Sequence, residues 1–447
     1  MGRLMRLFVH NPRVLEIAAL LPVKEAGSPG RPRENPEALT ALAWCAKGAF
    51  PSMRKVAHWF RDEANWAWLR QTWREEYGIE LNAYPPARKT LVQQLHRMRP
   101  LVASIATRVS EMALDEARRQ GRFSGTAQTA ATPNRGNVVV ADGTVPKLRM
   151  KPETIKRLTA DGAQPRKRNG HRMSVPNGHL YKEGTGEWVQ GVKFVIAVSR
   201  PDVEDDDTNL RLVLDARPVA PGEGGEAAVS VDMLLGLREM CAQFHGVRYD
   251  GAFRGAHLSP LMRSGLSVLS NPGETNSMEA RPLELIECGC PGRSHQLYSE
   301  AGWLCVGEHL DDGTLHLERL PGRHVTFVKN PKRNDYRCYL TVTLPCECTH
   351  RTRLDTTDEA DERGLSTSER LRQFPPGTPE YDNTYGWRND VESHNNNLDS
   401  THYRGRLVVD DPTDQYLLVL AHGFARNLLA EAVYNDKRRA QATERAA

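Results

Sequence analysis

The chain has 447 residues, enough for two to four domains with substantial cores. Its 60 Lys and Arg against 56 Asp and Glu leave a net charge of +4, so total charge does not imply nucleic acid and only its distribution can. No apolar run approaches a membrane span, and Glu16 breaks the opening stretch MGRLMRLFVHNPRVLEIAALLPV with no small-residue cleavage site after it. The expectation is a cytoplasmic protein without leader or anchor. Its eight cysteines should then be reduced or metal-bound rather than paired.

In chain order, GSPGRPRENP (27–36) reads as a Pro/Gly linker. Apolar spacing then predicts helices over Glu37–Lys47, Ser52–Glu63 and Ala87–Met98, and a longer one ending near Gln120. Trp66, Trp68 and Trp73 supply aromatic packing. Short helices with tight turns, and Arg and Lys scattered along PPARKTLVQQLHRMR, suit a helix-turn-helix-like DNA-binding module over residues 1–125. They suit an ordinary helical domain as well.

After a second linker, GRFSGTAQTAATPNRGN (121–137), the character changes. A short apolar strand, Val138–Ala141, runs into Asp142-Gly143. Strands over Gly191–Ser199 and Asn209–Asp215, a helix over Ser230–Phe244, and a strand Val247–Tyr249 that delivers Asp250-Gly251 follow. A helix (His257–Ser264) and a strand (Leu266–Leu269) complete the series. Three strands, a helix, a strand, a helix and a strand is the ribonuclease H-like layout, a mixed α/β sheet with flanking helices. In it the first and fourth strands lie side by side, which brings Asp142 and Asp250 together. Two neighbouring carboxylates repel unless a cation intervenes, so the pair predicts divalent metal. One strand-end Asp-Gly is ordinary turn chemistry; two, at these places in this order, carry the argument.

The stretch YGWRNDVESHNNN (385–397) places Tyr385, Arg388 and Glu392 at i, i+3 and i+7, one stripe of a helix. The bland reading is a solvated face with an Arg–Glu pair. A metal-dependent phosphodiester site needs a late third acid, and Glu392 fits that role. Arg388 would offer its guanidinium to a phosphate, and Tyr385 would hydrogen-bond a backbone oxygen.

On these residues the chain resembles the DDE transposases of bacterial insertion sequences, in the cut-and-paste group whose motif is Tyr-x2-Arg-x3-Glu-x6-Lys. Tyr385, Arg388 and Glu392 match its first three members; Asp399 stands at the Lys position, with His402 and Arg404 just beyond as candidates for the missing charge. The similarity spans roughly 138–436 and includes the final helix, Gln415–Tyr434. It implies a catalytic domain in two parts, 138–270 and 385–436, interrupted by a β-rich insertion at 271–384. It further implies two Mg²⁺ or Mn²⁺ ions on Asp142, Asp250 and Glu392, strand cleavage at element ends, and strand transfer into target. Duplex DNA would be the partner, with a homodimer on paired ends and Trp303 stacking a flipped base; the alternative for Trp303 is core packing. Two other readings remain: a catalytically inactive DNA-binding derivative, supported by Asp399, and a ribonuclease H-like nuclease without strand transfer. A tyrosine recombinase using Tyr434, Arg426 and His422 is disfavoured, because that chemistry needs an all-helical catalytic domain and the carboxylates here sit on strands.

Within the insertion, LYSEAGWLCVG, TLHLERL, HVTFVKN and YRCYLTVTLP read as strands. Cys288-x-Cys290 and Cys346-x-Cys348-x-His350 flank it, and four thiolates, or three with His350, would make a closed structural zinc site. The alternative is a set of ordinary reduced cysteines. The segment 147–182 carries ten basic residues, Lys147, Arg149, Arg166, Lys167 and Arg168 among them, against two acidic ones. It reads as a clamp for a phosphate backbone, or as a solvated loop. The acidic run DTTDEADERG (355–364) reads as a solvated linker.

Overall fold

Helix signals dominate the first 119 residues. The computed structural model of the chain, which describes residues 2–23, 36–124, 133–146, 179–182, 188–201, 208–220, 224–272, 278–290, 292–356, 366–403 and 411–446, has helices there: α1 (Gly2–Val9), α2 (Arg13–Ala18), α3 (Pro36–Ala49), α4 (Met53–Arg61), α5 (Glu63–Tyr77), α6 (Arg88–His96) and α7 (Val102–Arg119). Local chemistry sets their ends. Asp62 caps α5 by accepting the Asn65 N–H at 2.9 Å. Gly78, at φ 66°, closes it while the N–H groups of Gly78 and Ile79 bond the Arg74 and Trp73 carbonyls. α3 is buried on nearly all sides, as its Ala- and Leu-rich composition requires. The chain is mixed α/β, and among the described residues no sheet closes into a barrel.

Two compact units divide the chain. The first comprises Met1–Arg122, Gly143–Gly222 and Glu392–Ala447. Its helical N-terminal part does not stand alone. The last helix, α13 (Pro412–Ala446), packs along α3 and α7, and both α7 and α13 pack on β5 (Leu212–Pro218). β5 pairs antiparallel with the fully buried β4 (Phe194–Ser199). The Asn427 side chain accepts from Val213 N–H at 2.7 Å and donates to Val213 C=O at 2.8 Å, so it satisfies backbone groups of β5 as another strand would. A hairpin of β2 (His179–Lys182) and β3 (Trp188–Gly191) precedes β4, where periodicity alone gives one strand beginning at Gly191.

The second unit comprises Phe123–Asp142 and Glu223–Val391. β1 (Val138–Thr144), β6 (Gly246–Arg248) and β7 (Ser267–Leu269) form a parallel ladder, joined through α8 (Gly225–Met240) and α9 (Gly255–Arg263). Its Gln373 side chain accepts the β7 N–H of Val268 at 2.6 Å. The last two residues of β1, Gly143 and Thr144, are counted with the first unit. Beyond β7 come two antiparallel sheets: β11-β10-β9-β8, from β8 (Arg281–Glu287), β9 (Ser294–Glu300), β10 (Trp303–His309) and β11 (Leu315–Arg319), and β12-β13-β14, from β12 (His324–Asn330), β13 (Asp335–Thr343) and β14 (Thr349–Arg353); the short helix α10 (Thr367–Arg370) follows. Three of the strand-like runs fall on β11, β12 and β13, whereas LYSEAGWLCVG spans the end of β9, the turn at Ala301-Gly302 and the start of β10.

Asp355 departs from the linker reading of its segment. It is fully buried and accepts from Cys338 N–H (2.9 Å), Arg353 and Arg263. Burial alone would raise its carboxyl, but these donors outweigh it and hold the group below its ordinary range. Residues 357–364 of the run, 27–35 of the first linker and 125–132 of the second lie outside the described residues.

Candidate functional site

Parallel pairing positions the two carboxylates. Val138 of β1 lies opposite Gly246 of β6, and Val140 opposite Arg248. Asp142 and Asp250 each follow two residues later, so they reach the carboxyl end of the pair at one level and on one face. Carboxylate oxygens of Asp142, Asp250 and Glu226 all lie within 4.8 Å of one another. Glu226 stands in the first turn of α8, where the helix dipole favours negative charge. Gly224, at φ 74°, turns the chain into that helix. The Tyr249 hydroxyl donates to Glu226 Oε1 at 2.8 Å and lies 2.8 Å from Ser230 Oγ. Burial, and then the nearby Glu226 charge, push the Tyr249 phenol far up, so it remains a donor. Asp250 Oδ1 accepts the Ala252 N–H at 2.9 Å and so shapes its own turn.

Glu226 is the residue that sequence reasoning misses. Apolar periodicity starts the helix at Ser230 and leaves Glu226 in a loop, whereas α8 begins at Gly225. The available signal was Gly-Gly-Glu immediately before the periodic run.

Tyr385 and Arg388 are not on an α-helix. After α11 (Pro379–Thr384), residues Tyr385–Arg388 form a 3₁₀ turn, and α12 (Asn389–Leu398) starts after it. Three residues per turn eclipse positions i and i+3, so Arg388 lies directly over Tyr385. Its Nη1 donates to the Tyr385 hydroxyl at 2.8 Å, with the guanidinium 5.4 Å from the ring centre. The turn is clamped from both carboxylate strands. Arg248, fully buried, donates from Nε to Thr384 Oγ1 at 3.0 Å and lies 5.7 Å from the Trp387 ring. Burial lowers its guanidinium to about 9, still charged at neutral pH. Arg135, just before β1, lies 5.3 Å from the same ring and pairs with Asp390 at 2.7 Å. Tyr385 also stacks on Tyr381 at 4.4 Å, whose hydroxyl bonds Asn271.

Glu392 is exposed on α12 and is counted with the first unit. His402 brings no charge to the Asp399 region. It is buried, donates from Nε2 to the Gly48 carbonyl at 2.7 Å, and burial lowers it to about 3. Arg404 lies outside the described residues, as do Lys147, Arg149, Arg166, Lys167 and Arg168. Trp303 is half-buried; its Nε1 donates to Pro376 C=O at 3.0 Å, and Arg319 and Arg323 lie 4.9 and 5.0 Å from its ring. Those guanidiniums occupy ring surface that a stacked base would need.

In the insertion, the sulfurs of Cys288, Cys290, Cys346 and Cys348 all lie within 4.8 Å of one another. Cys290 and Cys348 sulfurs are 3.6 Å apart. The Cys348 backbone N–H draws Cys346 down to about 6, while the hydrogen bond to Cys348 pushes Cys290 up to about 12. His350 pairs with Glu284 at 3.5 Å and is not in the group; His295, 3.3 Å from Cys346 Sγ, is its histidine neighbour.

No protein-family model matches the chain, and no curated protein matches it. No described helix is long and apolar enough to cross a membrane.

Proposed function

We propose that the chain is a metal-dependent DNA strand-cleaving and strand-transferring enzyme, a transposase of the DDE kind on a ribonuclease H-like sheet. The carrying observation is the clamp. Arg135, just before β1, and Arg248, the last residue of β6, grip the turn that bears Tyr385 and Arg388. The parallel ladder β1-β6-β7 in the second unit and the antiparallel β4-β5 pair in the first support the sheet assignment. Three converging carboxylates are the hard oxygen donors that Mg²⁺ or Mn²⁺ takes. Such ions, when bound, activate the attacking oxygen and stabilise the leaving one. The protein's own groups then have separate tasks. Asp142 and Asp250 supply negative charge at one point, Tyr249 orients Glu226, and Arg388 with Tyr385 holds a phosphate in register. Glu392 is the third acid by resemblance, and Glu226 is the third acid of the cluster. Duplex DNA and a second subunit on paired ends complete the reading.

The test uses duplex DNA carrying the genomic sequence that flanks the coding region, with Mg²⁺ or Mn²⁺. Asp142→Asn and Asp250→Asn should abolish cleavage and leave duplex affinity within about threefold, because affinity comes chiefly from Lys and Arg contacts to phosphate. Glu226→Gln and Glu392→Gln, compared side by side, assign the third acid by which one loses cleavage. A wild-type protein that binds this DNA but never cleaves it with either ion defeats the enzymatic reading in favour of a DNA-binding one.

A further inference from the structure

The four clustered cysteines lie on two hairpin turns that belong to different sheets. Cys288 and Cys290 occupy the turn between β8 and β9, closed by Cys288 N–H to Arg293 C=O (3.3 Å) and Arg293 N–H to Cys290 C=O (3.2 Å). Cys346 and Cys348 occupy the turn between β13 and β14, closed by Leu344 N–H to Cys348 C=O and Glu347 N–H to Leu344 C=O, both 2.8 Å. Glu347 there takes φ 67°, a left-handed conformation that a non-glycine residue keeps only when its surroundings hold it. Each turn thus presents two sulfurs to the other.

We propose that Cys288, Cys290, Cys346 and Cys348 form a closed tetrathiolate zinc site that fastens the two sheets of the insertion to each other. Tetrahedral ligands ~2.3 Å from zinc stand ~3.8 Å from one another, and the 3.6 Å between Cys290 and Cys348 sulfurs fits that spacing. All eight cysteines are unbridged, so these four remain thiol donors. Soft sulfur selects zinc over the hard ions suited to carboxylates, which keeps this site chemically apart from Asp142, Asp250 and Glu226. Four protein ligands leave no open position, so the site is structural. His295, beside Cys346, supports a ligand from outside the shell. The inference does not depend on the nucleic-acid reading, since a zinc staple would hold the insertion whatever the chain acts on.

Metal analysis of the full chain, purified without chelator, should find one zinc per chain and no iron. A mercurial that titrates thiols should release that zinc as four thiols react, and cobalt exchange should give the visible band of tetrahedral thiolate coordination. Cys290→Ser should weaken zinc retention by about 100-fold or more and His295→Ala by about 10-fold, whereas His350→Ala should keep it. If Cys290→Ser fails to fold, the wild-type mercurial titration decides alone. Iron in place of zinc, or less than about 0.1 zinc per chain with all four thiols reacting at once in the native protein, overturns the proposal.

Discussion

Replacing Arg248 by Met separates positioning from stability. The guanidinium is fully buried, and its fall from 12.5 to about 9 means that burial disfavours the charged form by ~5 kcal/mol at 1.36 kcal/mol per pKa unit. Against that stand the hydrogen bonds to Thr384 and to the Val247 carbonyl, worth ~1.5–3 kcal/mol each for a charged donor, and the contact over Trp387, worth ~2 kcal/mol when desolvated. Loss exceeds relief by ~0–3 kcal/mol, since relieving a buried charge offsets most of what its partners supply. The melting temperature of Arg248→Met should therefore stay within about 10 °C of wild type. Cleavage should not. The turn bearing Tyr385 and Arg388 loses an anchor, and a displacement of ~1 Å at a reacting group costs about 100-fold. The assay is Mg²⁺-dependent cleavage of the flanking-sequence duplex at saturating DNA, with kcat falling and KM nearly constant, alongside a thermal melt. Trp387→Leu should lose much the same activity, and the double variant should lose less than the sum. A melting temperature lower by more than about 10 °C would make Arg248 a structural residue only. Unchanged cleavage would mean that Arg248 does not position the turn.

Two further outcomes concern the first unit. Gly48→Ala should fail to fold or lose more than ~3 kcal/mol in chemical denaturation, because a Cβ there overlaps the Ala421 carbonyl and would force α3 from α13; a near-normal transition would show that the two helices can shift apart. Acid should destabilise the unit before carboxylates titrate. His394, His402 and His422 are buried, and burial lowers His394 well below 6.5, His402 to about 3 and His422 to about 4. The unfolded chain takes protons below pH ~6.5, while in the folded chain His402 and His422 do not until about pH 3 and 4 and His394 stays neutral well below 6.5. The stabilisation is thus complete above ~6.5 and lost as pH falls through that window, at up to ~4 kcal/mol per pH unit for three groups. Denaturation midpoints that stay level from pH 7 to 5 would refute it.

Much of the fold was legible because its strands are apolar runs ended by turn chemistry. Val138–Ala141, Val247–Tyr249 and the runs of the insertion are all of this kind. In the first 119 residues α3, α4, α6 and α7 were legible by apolar spacing, whereas α1, α2 and α5 were not read as helices. What the helices pack against was not legible: periodicity shows that α3 is apolar, not that α13, beginning at residue 412, covers it. Asp355 shows the same gap between composition and pairing. In an acidic run it reads as solvated, and only the fold brings Arg263, Arg353 and the Cys338 N–H to it.

The site divides along the same line. Asp142, Asp250 and the Cys-x-Cys pairs announce themselves by local pattern. Glu226 does not, because a residue at a helix start is identified only once the start is placed. Tyr385 and Arg388 were visible, yet the helical stripe gave them the wrong relation. Helical spacing sets them one turn apart along a face, each available to a separate oxygen. In the 3₁₀ turn Arg388 Nη1 already bonds the Tyr385 hydroxyl, so tyrosine and arginine form a single donor group, and the turn that carries it is held where Trp387 meets Arg135 and Arg248. Those two arginines lie some 250 and 140 residues earlier and carry no motif of their own. The two strands that lead to Asp142 and Asp250 are thus also tied to the turn of Tyr385 and Arg388, the pair proposed to bind phosphate. Their separation is therefore set by the same sheet, and a change that tilts β6 should move Asp250 and Arg388 together.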